Sequence, residues 1–175
     1  MFKVITFVFL ILYSTCSFTQ SGSTYETYKL GETLFFFDNW VLNFEDQGQE
    51  KPNVNLRTWS VKDGSVFALV CNPNTGTKYI YVNFGENRNP DSNKISFATR
   101  GRETYETEII HGAHVISNER DRDSFNGIIE YLSLMGGLGG FRFFVDNGMH
   151  RSYFYFSGLW EASREFRDAC KVLEE

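Results

Sequence analysis

The sequence predicts an α+β domain: an antiparallel sheet or meander with two helices packed on one side and one disulfide. Three observations lead to this prediction. Short runs of aromatic and β-branched residues alternate with turn residues over residues 34–117, which is typical of antiparallel strands. Two later segments change to the apolar spacing of a helix. Two cysteines, Cys71 and Cys170, fall on the apolar faces of a predicted strand and of the last predicted helix.

The composition excludes several classes of protein. The chain has 175 residues, of which 42% are hydrophobic, and its 17 basic and 22 acidic residues give a net charge of −5. It is too apolar for a disordered chain, and it lacks the basic excess that favours nucleic acid as a partner. A chain of this length can bury roughly 70% of its unfolded surface, so one domain can form a core without metal ions or many disulfides.

The N-terminus has the pattern of a secretory signal peptide. Lys3 precedes a predominantly apolar run, residues 4–13, which is shorter than the roughly 20 residues of a membrane-spanning helix. Ser17 and Thr19 are small residues at the positions that a signal peptidase reads, which predicts cleavage before Gln20. An uncleaved membrane anchor is the alternative, although no basic cluster or second apolar stretch follows the run.

The predicted organisation is a signal peptide over residues 1–19, a flexible leader over 20–33 and a single α+β domain over 34–175. Removal of Lys3 would change the charge of the mature chain to −6, which gives no attraction to anionic lipid or DNA. The expected location is the periplasm or the extracellular medium. After cleavage we expect no stable insertion into a membrane.

Cleavage would also remove Cys16, so that Cys71 and Cys170 are the remaining cysteines. An even pair of cysteines in an exported protein predicts a disulfide bond. Closing a loop of about 100 residues would stabilise the fold by up to roughly 4 to 5 kcal/mol if the bond is unstrained. Two buried thiols are the alternative.

Ten short strands are predicted from the alternation of apolar and polar residues and from the turn residues between them. Asp63-Gly64 and Asn147-Gly148 are strong hairpin signals, because both pairs favour turns that need positive φ. The polar stretch 45–55, which contains Pro52, is predicted as a loop. The predicted strands cover residues 34–37, 40–44, 57–62, 65–71, 78–84, 95–100, 104–110, 113–117, 141–145 and 151–156.

Two helices are predicted from apolar residues at helical spacing. Asp123 or Ser124 is expected to cap a helix that continues through Met135 and ends at the glycines that follow. Ser157 is expected to cap the last helix. The apolar stripe of that helix comprises Leu159, Ala162, Phe166, Ala169, Cys170 and Leu173.

The sequence contains no convergent set of catalytic groups. His111 and His114, with Glu106 and Glu108 just before them, come nearest to a metal or hydrolase site. Residues three apart on a strand point to opposite faces, so only a turn at Gly112 would bring the two histidines together. We therefore expect no catalytic residue, no metal ion and no cofactor.

Aromatic residues are the most distinctive feature of the mature chain, which is rich in Phe and Tyr. Tyr79, Tyr81, Tyr153 and Tyr155 are predicted on the outward faces of their strands. Exposed aromatic side chains on rigid strands suit the binding of another protein or of a sugar surface. Packing between neighbouring strands is the alternative interpretation.

The segment 153–173 is an aromatic strand, then Ser157-Gly158, then a helix with Ala162 and a late Cys170. It resembles the C-terminal part of small exported proteins of Gram-negative bacteria, of the invasion-associated locus B type. The order of Trp59 and then Cys71 upstream is similar as well. The resemblance implies export, a β-rich fold and a role at the cell envelope or in host contact, and it carries over no catalytic residue.

The expected function is that of an exported, non-enzymatic binding domain whose partner is a protein or an envelope component and not nucleic acid. A small secreted hydrolase that uses His111 and His114 is one alternative. An inhibitor or immunity-type protein that inserts the hairpin turn 146–149 into an enzyme's cleft is another. His150, which follows this turn, is expected to be an exposed turn residue and not a catalytic base.

Overall fold

The computed structural model describes residues 34–45, 48, 50–98, 102–137 and 141–174. The predicted signal peptide and flexible leader, residues 1–33, lie outside the described residues, as does Cys16.

Within the described residues the chain forms eleven strands and two helices. The first nine strands are β1 (Leu34–Phe37), β2 (Trp40–Glu45), β3 (Asn53–Trp59), β4 (Val66–Asn72), β5 (Thr77–Asn83), β6 (Lys94–Ala98), β7 (Arg102–Glu106), β8 (Glu108–Ile110) and β9 (Ala113–Ser117). Helix α1 (Arg122–Gly136), the hairpin of β10 (Arg142–Asp146) and β11 (Arg151–Tyr155), and helix α2 (Leu159–Glu174) follow.

The strands form two antiparallel sheets. The large sheet has the order β1-β2-β3-β4-β5-β9-β8, and the small sheet has the order β11-β10-β6-β7. The prediction of an α+β fold with antiparallel strands and two helices is therefore confirmed. The strands do not form one continuous meander, however, because β6 pairs with β7 and with β10 of the C-terminal hairpin and not with β5.

Aromatic rings hold the inner faces of the two sheets together. Phe67 of β4 contacts Phe97, Phe143 and Phe154 of the small sheet, with ring centroids 6.1, 5.2 and 5.8 Å apart. Trp40 of β2 lies among them, and its indole N–H donates a hydrogen bond to the carbonyl oxygen of Tyr155 at 3.0 Å. A buried indole needs such an acceptor, because an unpaired N–H in the core would be unfavourable.

The two helices cover the rest of the inner face of the large sheet. Helix α2 packs on β2 and β3, and α1 packs on α2 and β9. Leu69 of the sheet, Leu132 of α1 and Phe166 of α2 belong to one buried cluster. None of the described helices is long and apolar enough to cross a membrane.

Two predicted helix caps are wrong. Asp121, and not Asp123 or Ser124, caps α1, because its Oδ1 accepts a hydrogen bond from the backbone N–H of Ser124 at 3.0 Å. Helix α2 begins at Leu159, so Gly158 and not Ser157 directly precedes it. The hydroxyl of Ser157 donates to Oδ2 of Asp38 at 2.6 Å and so joins the start of α2 to the turn between β1 and β2.

The predicted loop 45–55 is wrong at its C-terminal end. Strand β3 begins directly after Pro52, at Asn53, and Asn53, Val54 and Asn55 are all buried. Val54 faces the core, whereas the asparagines lie on the outer face of the sheet. A strand with a polar outer face has the same composition as a loop, so the sequence pattern did not separate them.

The predicted strand 104–110 is two strands in two different sheets. Thr107 separates them: its backbone N–H donates to the carbonyl oxygen of Asn93 at 2.8 Å. The residues before Thr107 pair with β6 in the small sheet, and those after it pair with β9 in the large sheet. Alternation of apolar and polar residues along a segment does not show which strand that segment pairs with. The division at Thr107 was therefore not visible in the sequence.

Candidate binding groove on the outer face of the large sheet

The outer face of the large sheet carries an open cavity of about 350 Å³ over its central strand. Cavities of this size are typical of small-molecule sites. We call it the β4 groove, because its floor is formed by small apolar residues of β4. The residues that line it are Val66, Ala68 and Val70 of β4, Asn55 and Arg57 of β3, Tyr79, Tyr81 and Asn83 of β5, and Glu45 of β2.

The strand register explains the shape of the β4 groove. Arg57 and Tyr81 are the cross-strand neighbours of Ala68 on its two sides, and Asn55 and Tyr79 flank Val70 in the same way. Because alternate residues of a strand point to the same face, the long side chains of β3 and β5 stand on either side of a low floor. With about 4.8 Å between neighbouring strands, the two walls start about 10 Å apart.

Arg57 is the central cation of the groove, and it has no hydrogen-bond acceptor or carboxylate partner among the described residues. Its guanidinium carbon lies 5.3 Å from the ring centroid of Trp59, the next outward residue of β3. Its Nε is buried without a partner. A guanidinium has five N–H donors, so Arg57 offers unused donors at the wall of the groove.

Two further polar atoms of this face are buried without a partner among the described residues: Oδ1 of Asn43 and Oδ1 of Asn53. They lie beside the groove, because Asn43 pairs with Asn55 and Asn53 pairs with Glu45 in the sheet. Each unsatisfied buried acceptor costs about 1 to 3 kcal/mol of stability.

The remaining polar groups of the groove are close to one another. The amide Nδ2 of Asn43 donates to Oε1 of Glu45 at 3.3 Å, and Nδ2 of Asn83 donates to the hydroxyl of Tyr81 at 3.1 Å. Burial raises the pKa of Tyr79, and electrostatic interactions with Glu45 and Tyr81 raise it further. Tyr79 therefore keeps its proton at neutral pH and can both donate and accept a hydrogen bond.

The structure does not bring the four predicted tyrosines to one surface. Tyr79 and Tyr81 line the β4 groove. Tyr153 and Tyr155 lie on β11, on the outer face of the small sheet, where Tyr153 contacts Phe144 at 5.9 Å between ring centroids and Tyr155 lies 5.5 Å from the guanidinium carbon of Arg142. These contacts are of the kind that the packing alternative predicts, and Tyr153 also lines an open cavity with Arg142 and Phe144 on this face.

The two histidines of the hydrolase alternative do not share an accessible site. His111 is exposed in a turn with φ of +50°. His114 is 1% exposed, with Nδ1 2.8 Å from the hydroxyl of Thr107 and its ring packed edge-on against Phe84. Burial lowers the pKa of His114. Over the described part of the chain, no three His, Cys, Asp or Glu residues are grouped as metal ligands.

Sequence reasoning missed a buried polar cluster around Asp63. Oδ2 of Asp63 lies 2.6 Å from Nε2 of His150 and accepts from the hydroxyl of Ser152 at 3.1 Å, and the hydroxyl oxygens of Ser152 and Ser65 are 2.8 Å apart. His150 is therefore a partly buried partner and not the free turn residue that was predicted. The carboxylate stands between the serine and the imidazole, so His150 is not placed to take a proton from Ser152.

The Asp63 cluster joins the two sheets at their turns. Burial by itself raises the pKa of Asp63, but hydrogen bonds from His150, Ser65 and Ser60 outweigh it and hold the pKa well below its usual range. Asp63 follows β3 in the large sheet, and His150 precedes β11 in the small sheet. The sequence signals for this cluster were the two predicted hairpin turns, at Asp63-Gly64 and Asn147-Gly148. Neither signal indicated that the two turns contact each other in the fold.

Cys71 and Cys170 are both buried, and their sulfur atoms lie 2.7 Å apart. This exceeds the S–S bond length of about 2.05 Å, so no bond joins them in this structure. Cys71 belongs to the inner face of β4, and Cys170 belongs to the buried stripe of α2, as their apolar spacing predicted.

Comparison with models of known protein families gave no match to this chain. Comparison with curated proteins and with solved structures gave none either. The fold and the groove define a β-rich α+β domain with a polar and aromatic cavity on one sheet, and the resemblance to the locus B type stays a prediction.

Proposed function

We propose that this chain is an exported, non-enzymatic binding domain that recognises a protein or an envelope component through the β4 groove. The observation that carries the proposal is the open cavity around Arg57, a cation without an acceptor among the described residues. Binding sites combine an apolar surface with a few polar groups that still need partners. The signal-peptide pattern and the resemblance of segment 153–173 support a location in the periplasm or outside the cell.

Site-directed photo-cross-linking in intact cells that produce the full chain tests this proposal. A photo-reactive phenylalanine derivative replaces either Tyr81, in the groove, or Tyr153, on the outer face of the small sheet. Both are half-buried tyrosines near the middle of a strand, so the second is a matched control. We expect a saturable adduct from position 81 only.

The companion variant is Arg57→Ala. We expect it to abolish the adduct from position 81 while the thermal unfolding of the chain stays close to that of the unsubstituted protein. An adduct that forms equally from both positions, or that persists in Arg57→Ala, contradicts binding through the groove. Turnover of a substrate class that is lost in the double variant H111A/H114A would instead favour the hydrolase alternative.

We also propose that Cys71 and Cys170 form a disulfide after export. They already lie side by side in the core, and an oxidising compartment supplies an acceptor for the two electrons that the thiols lose. The bond would join β4 to α2 and close a loop of about 100 residues, worth up to roughly 4 to 5 kcal/mol.

Mass spectrometry of the intact chain from its native compartment tests both export and the disulfide. We expect a chain that begins at Gln20 and reacts with an alkylating agent only after unfolding in the presence of a reductant. Unfolding without reductant is the control, because burial alone also protects thiols in the folded state. Alkylation of both cysteines in that control would exclude the bond, and a retained leader would exclude cleavage before Gln20.

A further inference from the structure

The two walls of the β4 groove differ in chemistry, and this difference constrains the ligand. The wall from β3 carries an amide and a guanidinium, Asn55 and Arg57, whereas the wall from β5 carries two phenol rings. Between them the floor is apolar, formed by Val66, Ala68 and Val70. A ligand that fills the groove therefore needs one apolar face and a polar edge.

The hydrogen-bonding groups around the groove require both donors and acceptors from the ligand. Arg57 donates and has no acceptor among the described residues, whereas the Glu45 carboxylate and the Asn55 amide oxygen, which also line the groove, are acceptors. A carboxylate or phosphate would satisfy only Arg57, and an ammonium group would satisfy only the oxygens of Glu45 and Asn55. A hydroxyl group donates and accepts, so a ligand with several hydroxyls can satisfy both kinds of atom.

The charges that line the groove cancel. Glu45 is its anion and Arg57 is its cation, and the other lining residues are neutral at pH 7. An anionic ligand would be attracted by Arg57 but repelled by Glu45, and a cationic ligand would meet the reverse. Because one charge of each sign lies at the same cavity, the site favours a ligand without a net charge.

We infer that the β4 groove binds a neutral saccharide, with a C–H face of a sugar ring against Tyr79, Tyr81 and the apolar floor and with hydroxyl groups directed toward Asn55 and Arg57. Phenol rings supply rigid contact area together with a polar end, which suits a ring that is apolar on its faces and polar at its edge. This inference rests on the proposed function, since it names the ligand class of the same groove.

Isothermal titration of the full chain with three tetrasaccharides tests the ligand class. The probes are a neutral N-acetylhexosamine tetramer, its deacetylated cationic form and a uronic acid tetramer. We expect saturable binding of the neutral probe, at least about tenfold tighter than that of either charged probe. Fluorescence of Trp59, which lies beside Arg57, should change on binding.

Two variants and one control accompany the titration. Arg57→Gln should lower the affinity for the neutral probe by about tenfold, because a charge-assisted hydrogen bond is lost. Tyr81→Ser should lower this affinity by a similar factor. Tyr153→Ser should bind like the unsubstituted chain. Circular dichroism and thermal unfolding of each variant separate a loss of binding from a loss of fold.

The outcomes distinguish the inference from the proposed function. Equal or tighter binding of a charged probe would overturn the neutral class. If no saccharide binds but the cross-link from position 81 is still lost in Arg57→Ala, the neutral saccharide class is also overturned. In that case the proposal of binding through the groove would stand. Loss of both the cross-link and the titration signal would overturn the two together.

Discussion

The outer faces of the two sheets carry similar residues but use them differently. On the small sheet, Arg151 donates to Oδ2 of Asp146 at 2.9 Å and lies over the ring of Phe144 at 4.2 Å, and Arg142 lies over Tyr155. On the large sheet, Arg57 stacks on Trp59 but has no acceptor among the described residues. Arg151 of the small sheet is paired within the fold, whereas Arg57 of the large sheet, like Arg142 of the small one, has an aromatic contact and no acceptor among the described residues.

This comparison changes the interpretation of the aromatic residues. By sequence alone the tyrosines of β5 and β11 are equivalent, since both pairs occupy alternate positions of aromatic strands. What separates them is the neighbouring strand. Small residues of β4 stand beside Tyr81, whereas the ring of Phe144 stands beside Tyr153, with 5.9 Å between the two ring centroids.

The largest effect is expected at Gly158, a half-buried residue just before α2 that lies against the end of β1. Gly158 has φ of +82°, and a Cβ at this position would overlap the backbone carbonyl group of Phe37. We expect Gly158→Ala to lower the free energy of unfolding by about 2 to 5 kcal/mol, from left-handed strain and overpacking together. Urea unfolding measures this.

Gly76→Ala is the control for Gly158→Ala. Gly76 has φ of +72°, and a Cβ at this position would meet no other heavy atom within 4 Å, so only about 1 to 2 kcal/mol of backbone strain is expected. Hydrogen exchange of β4 and β11 in Gly158→Ala should increase together. A loss of hydrogen-exchange protection in only one sheet would mean that the two sheets unfold as separate units. Their outer faces could then not be compared as two surfaces of one cooperative domain.

The next effect is expected at the Asp63 cluster, which joins the two sheets. Asp63→Asn removes the charge that His150, Ser152 and Ser65 surround, and we expect a loss of about 1 to 3 kcal/mol at pH 7. Because the folded-state pKa of Asp63 is depressed below its ordinary value of 3.8, this contribution is complete above pH 3.8. It decreases as the pH falls below that value.

Urea unfolding of the unsubstituted chain and of Asp63→Asn between pH 7 and pH 2.5 measures this dependence. The difference between the two proteins should be constant above the ordinary pKa of Asp63 and should narrow at lower pH. A difference that does not change with pH would show that the carboxylate is not what stabilises the junction.

The smallest effect on stability is expected from replacing Arg57 or Arg151, the arginines on the outer faces of the large and the small sheet. Arg151→Gln removes two hydrogen bonds to Asp146 and should lower the midpoint of urea unfolding. Arg57→Gln removes no hydrogen bond that the described residues make, and its effect on stability should stay within about 0.5 kcal/mol. Equal destabilisation by both changes would indicate that Arg57 has a structural role and would remove the distinction between the faces.

Sequence patterns within one segment predicted the structure correctly where that structure depends on a single strand, turn or helix. The Asp63-Gly64 and Asn147-Gly148 turns lie where their dipeptides predicted, and Phe67, Leu69 and Cys71 share the buried face of β4. Periodicity predicted these features because the sheet buries one face, and that burial imposes the alternation.

Local signals failed where a polar outer face resembles a loop or where a strand changes partners. Asn53 and Asn55 are buried by the residues of neighbouring strands, and Thr107 ends a strand by bonding Asn93, fourteen positions earlier. The β4 groove was missed for the same reason. Arg57, Ala68 and Tyr81 come from three strands and form a row only after the strands pair.

The sequence by itself determined the antiparallel α+β class, most strands, both helices and the apolar faces that bring Cys71 next to Cys170. Each of these follows from spacing within one segment, since burial of one face fixes which side chains point inward. The tertiary structure alone decided the division into two sheets, the Asp63 junction and the groove around Arg57. These depend on which segments become neighbours, and the register between strands exists only after folding.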